Sequence, residues 1–401
     1  MSHIPPEWCS YASHMAFLRN GMNHMPMIPE DWALHATNLA SEWVEQQFLA
    51  HIASRPLVPP PPGLDAHTIL SCDQLALFMA NAYQHPKSGM NDAQEEALLA
   101  KFPPTEIITL DHPSMVIDSG YRIILWYILD GLSPWVQNNM YMATIAMGDL
   151  LKKSITNRKS SNWRVHGSDF QPAEVPELTP GCINIAPCWF QQGHECYGPP
   201  PKNPGDGFRP KVSATMKGDR SLSIIMTMQQ PALIASAALR IMHPQLYLAS
   251  IRTHIKLSHW SAEQELHDMH NLLKHWASIY TRVAIMCNRQ SPYHRDQKCP
   301  PEAFDILTCI RSYCHAVMQL TNLGIDLVYN PGIMVSYSGL LVRHGIHVDG
   351  DLIVWVWFLR DSMPNYAGTP RPDYARYNLV DLDAYKLAKY NQADFVVYGT
   401  L

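Results

Sequence analysis

The chain has 401 residues, of which 47% are hydrophobic and 16% charged. That is enough apolar material for one large domain or two medium ones, and it excludes wholesale disorder. A formal net charge of −5 excludes a general basic coat, so any nucleic-acid contact must come from a local patch. Trp32, Leu39, Trp43, Phe48 and Ile52 recur at helical spacing and predict a helix over 30–54. Residues 55–63 hold five prolines in nine positions and read as a stiff linker. Further helices are predicted over 72–84 and 91–101, so 1–102 reads as a helical N-terminal extension and 103–401 as the main domain. After Thr105 a strand is predicted at 106–110, then a hairpin, 114–118 and 122–128, turning at Ser119-Gly120. A helix over 134–153 ends in Lys152 and Lys153. Residues 154–222 show little periodicity, and stretches of that length are usually functional or disordered. Helices return at 231–241 and 261–278. Short β-type runs at 306–310, 316–320, 325–329, 333–337 and 352–359, punctuated by turn residues, predict a sandwich or barrel.

Nine cysteines without framework spacing predict free thiols in a reducing compartment. The first residues lack a charged n-region and an apolar h-region, so no secretory signal is expected. The longest apolar runs, 123–129 and 231–239, are stopped by Asp130 and Arg240, short of the roughly 18 residues that span a membrane. A soluble, intracellular protein with no membrane contact is the expectation.

The sharpest motif is His294-Arg295-Asp296. Residues i and i+2 share a face of extended backbone, so one short segment offers an imidazole and a carboxylate together. Alone the tripeptide is a weak signal among 20 histidines. Its context strengthens it. His344 lies 48 residues after Asp296, beyond four predicted strands, at the start of a predicted loop. A distant second histidine completes a 2-His-1-carboxylate triad with open positions for 2-oxoglutarate and oxygen. His347 is the competing candidate. In the last strand Leu352, Val354, Val356, Phe358 and Arg360 share one face, and Ile353, Trp355, Trp357 and Leu359 the other. Both faces are apolar and predict burial on both sides. An arginine ending a buried face needs an anion. A dicarboxylate would supply a bidentate partner; the alternative is pairing with Asp361 or solvent.

At this point the chain resembles the TET/JBP family of Fe(II)/2-oxoglutarate-dependent DNA-base dioxygenases, its fungal branch in particular. The resembling segments are 116–124 (VIDSGYRII), 184–195 (NIAPCWFQQGHE), 294–296 (HRD), 338–345 (SGLLVRHG) and 358–361 (FLRD), in consistent order. The resemblance implies an α+β fold with a double-stranded β-helix (jelly-roll) core and flanking helices. It implies oxidation of 5-methylcytosine in duplex DNA to hydroxymethyl-, formyl- and carboxylcytosine, with Fe(II), 2-oxoglutarate and O2, in the nucleus. Residue by residue, His294, Asp296 and His344 match the iron ligands and Arg289 a cosubstrate-binding arginine. Phe358 matches a base-stacking aromatic, Gly345 a substrate-side position, and Arg360 a residue lining both cosubstrate and base. One departure stands out. The family's arginine that anchors the far carboxylate of 2-oxoglutarate has no counterpart in Asp349-Gly350-Asp351-Leu352. Arg360 would take over the anchoring. Asp351 could read an exocyclic amine as a catalytic or substrate-binding group, which adds N6-methyladenine as a second substrate.

Lys152, Lys153, Arg158, Lys159 and Arg164 fall within 13 residues, and Lys202, Arg209, Lys211, Lys217 and Arg220 form a second cluster. Such clusters suit phosphate contact, and a base inside a duplex must be flipped out to be oxidised; a solvated charged face is the alternative. Cys182, Cys188, His194 and Cys196 offer a weak zinc set, without a C-x2-C knuckle. Methylated duplex DNA is the expected partner and a monomer the expected state. The competing functions are an oxygenase of the same fold acting on RNA or a small molecule, and a non-catalytic DNA-binding module.

Overall fold

The computed structural model describes residues 32–84, 86–88, 107–118, 120–158, 163–191, 194–195, 209–296, 299–310 and 313–377. Two helices open it, α1 (Trp32–Ile52) and α2 (Ala66–Gln84). α2 starts six residues before the predicted 72. Asp65 caps it, accepting from the His67 and Thr68 amides at 3.0 and 2.9 Å. The predicted helix at 91–101 lies outside the described residues. The strands that follow are β1 (Pro86–Ser88), β2 (Ile108–Leu110), β3 (Ser114–Ile117) and β4 (Ile123–Ile128). β3 and β4 form the predicted antiparallel hairpin. Asp118 holds its turn, accepting from the Gly120 and Arg122 amides and pairing with the Arg122 guanidinium at 2.7 Å. The 116–124 motif is therefore a turn lock.

The predicted helix over 134–153 is two helices, α3 (Pro134–Ala146) and α4 (Gly148–Ser154), broken where Met147 leaves helical geometry. The stretch read as irregular contains β5 (Gly181–Ile185). α5 (Ser221–Met242) runs through Pro231, where the sequence predicted a helix start. Burial of nearly the whole segment overrides the local penalty of proline. α5 is long and apolar enough to cross a membrane, correcting the expectation of no such segment, yet 78% of its apolar window is buried inside the protein. It is the core helix. Arg240 within it bonds Glu45 of α1 at 3.0 Å. α6 (Pro244–Glu263) and α7 (His267–His275) replace the single predicted helix at 261–278, separated where Glu265 takes a positive φ of 55°.

The remaining strands are β6 (Arg282–Cys287), β7 (Ser291–His294), β8 (Asp305–Ile310), β9 (Tyr313–Leu320), β10 (Ile325–Val328), β11 (Met334–Tyr337), β12 (His344–Gly350) and β13 (Ile353–Phe358), before a last short helix α8 (Ser362–Tyr366). They make an α+β protein with two sheets. The larger has the order β1-β3-β4-β11-β8-β13-β6-β5 and the smaller β2-β10-β9-β12-β7. Two cores follow from the strand alternation. Ile353, Trp355 and Trp357 of β13 face the helices, packing with Trp126 of β4 and Leu239 of α5. Val354 faces the smaller sheet, with Leu125, Leu307, Met318 and Ile346. β13 is buried on both faces, as its sequence predicted. The helices of the N-terminal segment share the first core, and β1 edges the larger sheet beside β3.

Candidate metal centre

β7 ends at His294, and β12 starts at His344. The two strands run antiparallel with these residues directly opposite each other. Their rings approach to 4.3 Å between centroids. Asp296 sits two residues past His294, fixed by its own amide donating to the Gly339 carbonyl at 2.7 Å. Arg295, between them, donates to the Leu340 and Leu341 carbonyls. The 338–345 motif thus holds the H-x-D segment. Gly339 is required by closeness: a Cβ there would lie 2.8 Å from an Asp305 oxygen and 3.1 Å from the Asp296 Cβ.

One ligand atom from each of His294, Asp296 and His344 lies within 4.8 Å of the others, the one such group among the described residues. His294 Nδ1 is 2.8 Å from the Pro292 carbonyl, and His344 Nδ1 is 3.0 Å from the Val342 carbonyl. A carbonyl only accepts, so each Nδ1 carries the proton and each Nε2 keeps its lone pair. This is the backbone support that metal-bound imidazoles use. Burial and the neighbouring His344 hold His294 at about 4, and burial holds His344 below its ordinary value, so both rings stay neutral. Burial opposes ionisation of Asp296, but His344, His294, Arg360 and Arg164 outweigh it, and its pKa ends below the ordinary carboxyl value. Two neutral imidazoles and a carboxylate fit a divalent transition metal. His347 is exposed on the other side of β12, apart from this group.

The triad lines a cavity of about 1200 Å³. Phe358 and Arg360 line it, the guanidinium 5.0 Å from the ring centroid. Arg289 is 9% exposed, donates to Cys182 Sγ at 3.3 Å and to Ser291 at 3.4 Å, and has no partner for its Nε among the described residues. Sequence reasoning missed Trp163, Trp189, Arg282 and Asp305 on the wall. Trp163 packs edge-on against His294 at 4.7 Å. Burial and the nearby Asp296 charge push the Asp305 carboxyl up to about 7.

Three placements correct the sequence reading. Asp351 is 2% exposed and does not line the cavity; its carboxylate accepts from the Glu174 and Val175 amides and from Asn288 Nδ2 at 2.9, 3.3 and 2.7 Å. It clasps the 172–175 loop to the start of β13, so the motive for N6-methyladenine lapses. Gly345 does not line the cavity either. A Cβ there would meet the Tyr293 ring at 2.7 Å, so its bareness lets β12 approach β7. Arg164, read as a phosphate contact, pairs with Asp296 at 2.9 Å and lies over Trp163.

Lys152, Lys153 and Arg158 are exposed at and after the end of α4, on the segment that leads to the Trp163 turn. Lys159 and Lys202 lie outside the described residues. Lys211, Lys217 and Arg220 are exposed and Arg209 is half-buried. Arg220 donates to the Ala146 carbonyl. Cys182, Cys188 and His194 do not form a metal group, and Cys196 is outside the described residues. Burial pushes the Cys188 thiol up, against the thiolate that zinc needs.

No family model matches the sequence, and no curated protein is matched. Among solved structures, the fold is similar to NgTET1 in complex with 5mC DNA at 10% identity and a TM-score of 0.39, covering 80% of this chain and 99% of that one. It is also similar to an oxidoreductase of the 2OG-Fe(II) oxygenase family from Burkholderia pseudomallei at 10% identity and a TM-score of 0.26, covering 69% and 94%. Likeness this distant says nothing about chemistry.

Proposed function

We propose that the chain is an Fe(II)/2-oxoglutarate-dependent dioxygenase that oxidises a methylated base, 5-methylcytosine, in duplex DNA. The observation that carries the reading is the convergence of His294 and Asp296 with His344 on one wall of a deep cavity. Two imidazoles and one carboxylate leave positions open on the metal, the pattern of non-haem Fe(II) oxygenases. We read the two sheets as a double-stranded β-helix, with the triad at the ends of the smaller sheet's paired strands.

The protein's own groups have distinct tasks in this reading. His294, Asp296 and His344 hold the iron, and the backbone carbonyls behind the histidines aim them. Arg289, buried with an unused donor, takes a carboxylate of the cosubstrate. Phe358 stacks on the flipped base, with Arg360 beside it. When bound, iron with 2-oxoglutarate and oxygen supplies the oxidising equivalent. Trp163, edge-on to the His294 ring, walls one side of the centre. Lys152, Lys153 and Arg158 track the phosphates leading to the cavity.

The test has two parts. Anaerobic Fe(II) and 2-oxoglutarate together should give a charge-transfer absorption band that H344A abolishes. Aerobically, a methylcytosine duplex should yield hydroxymethylcytosine and succinate by mass spectrometry. A band without base oxidation rejects the substrate, and no band rejects the enzyme class.

A further inference from the structure

Arginines line the cavity at both ends of β6. Arg289 follows β6 at one of them. Arg282 opens β6 at the other, opposite Phe358 in the β6–β13 register. Roughly 16 Å of strand separates Arg282 from Cys287, the last strand residue before Arg289. We propose that Arg282 and Arg360 form a second oxyanion subsite, at the Phe358 end of the cavity. The proposal rests on the dioxygenase reading only for the identity of the ligand.

Arg282 lines the cavity and is 8% exposed. Its Nε has no hydrogen-bond partner among the described residues. The guanidinium lies 5.0 Å over the Trp189 ring, a contact that leaves its donors unused. Burial, then the neighbouring Arg360 charge, pull its pKa down to about 9; the Cys299, Glu195 and Cys188 groups favour the cation but do not restore it. A guanidinium as buried as that of Arg282, with a donor left over, is costly unless an anion meets it; Arg360, half-buried on the same wall, adds a second cation. An arginine fork with free donors matches a phosphate or carboxylate. Two ligands carry such a group: the substrate nucleotide, through its phosphate, and the cosubstrate, through its far carboxylate.

The part of the tryptophan-fluorescence quenching that W189F removes reads the site, since Trp189 lies against the guanidinium. The full chain is titrated with inorganic phosphate, 2-oxoglutarate, 5-methyl-2′-deoxycytidine and its 5′-monophosphate. A charge-assisted pair predicts that the monophosphate binds about tenfold tighter than the nucleoside. R282Q and R360Q should both erase that advantage; R282Q should leave 2-oxoglutarate unchanged, while R289Q does the reverse. If R282Q weakens 2-oxoglutarate about tenfold instead, the subsite stands and its oxyanion is the cosubstrate's. If R282Q and R360Q both bind all three anions as the wild type does, the proposal is overturned. R282K keeps the charge but not the fork, and serves if R282Q does not fold. Failure of the dioxygenase reading looks different: the wild type then shows no charge-transfer band, yet its phosphate advantage persists.

Discussion

Replacing Asp351 by alanine removes the acceptor of three hydrogen bonds at once, the part-buried ones from the Glu174 and Val175 amides and the buried one from the Asn288 side chain. A hydrogen bond to a charged acceptor contributes about 1.5–3 kcal/mol. Three at the lower end give about 4–5 kcal/mol, and water entering the small void recovers part of it. The expected loss is therefore about 3–4 kcal/mol, a large share of a typical stability of about 5–15 kcal/mol. For a protein of 401 residues the melting temperature should fall by roughly 4–5 °C. D351N keeps one acceptor oxygen but turns an amide towards a donor, and should lose about half as much. Thermal and urea unfolding measure both. The preference between methyladenine and methylcytosine should not change. A D351A protein within about 1 kcal/mol of wild type, with an altered base preference, would refute the clasp and return Asp351 to the site.

Burial holds His243 near 4 in the folded chain, against 6.5 when unfolded, while its ring accepts from the Leu246 amide. As pH falls, the unfolded chain gains this proton at 6.5 and the folded chain only near 4, so the contribution is full above 6.5 and is lost between those values. The loss is about 3 kcal/mol at most. H243N keeps an acceptor without titrating and should flatten the urea midpoint across that window; an unchanged slope would count against it. G339A drives a methyl towards Asp305 and Asp296 and should cut metal affinity by about 10–100-fold with all three ligands intact, as isothermal titration would read. K152A/K153A should weaken duplex binding and reduce the slope of log affinity against log salt by about one to two. A slope equal to wild type would assign these lysines to a solvated helix end.

Much of the architecture was legible because it is local. The double-sided apolar pattern of 352–359 announced a strand buried on both faces, and its odd arginine pointed to an anion. The H-x-D spacing placed two ligand types on one short segment, whatever the rest of the chain did. The sequence misled where local chemistry and tertiary burial disagree. Pro231 looked like a helix start, but burial carries α5 through it. β5, β6 and β12 escaped notice, since glycine, cysteine and histidine dilute their pattern and pairing with neighbours makes them strands.

Asp351 could not be read from sequence at all. A carboxylate serves a site or a loop according to which donors surround it, and those donors come from 174, 175 and 288. The same holds for Arg282, whose isolation is a property of its surroundings. Sequence determined which groups were available and which short segments carried them. Only tertiary structure decided which met, because the antiparallel pairing of β7 with β12 sets His344 opposite His294, fifty positions apart along the chain.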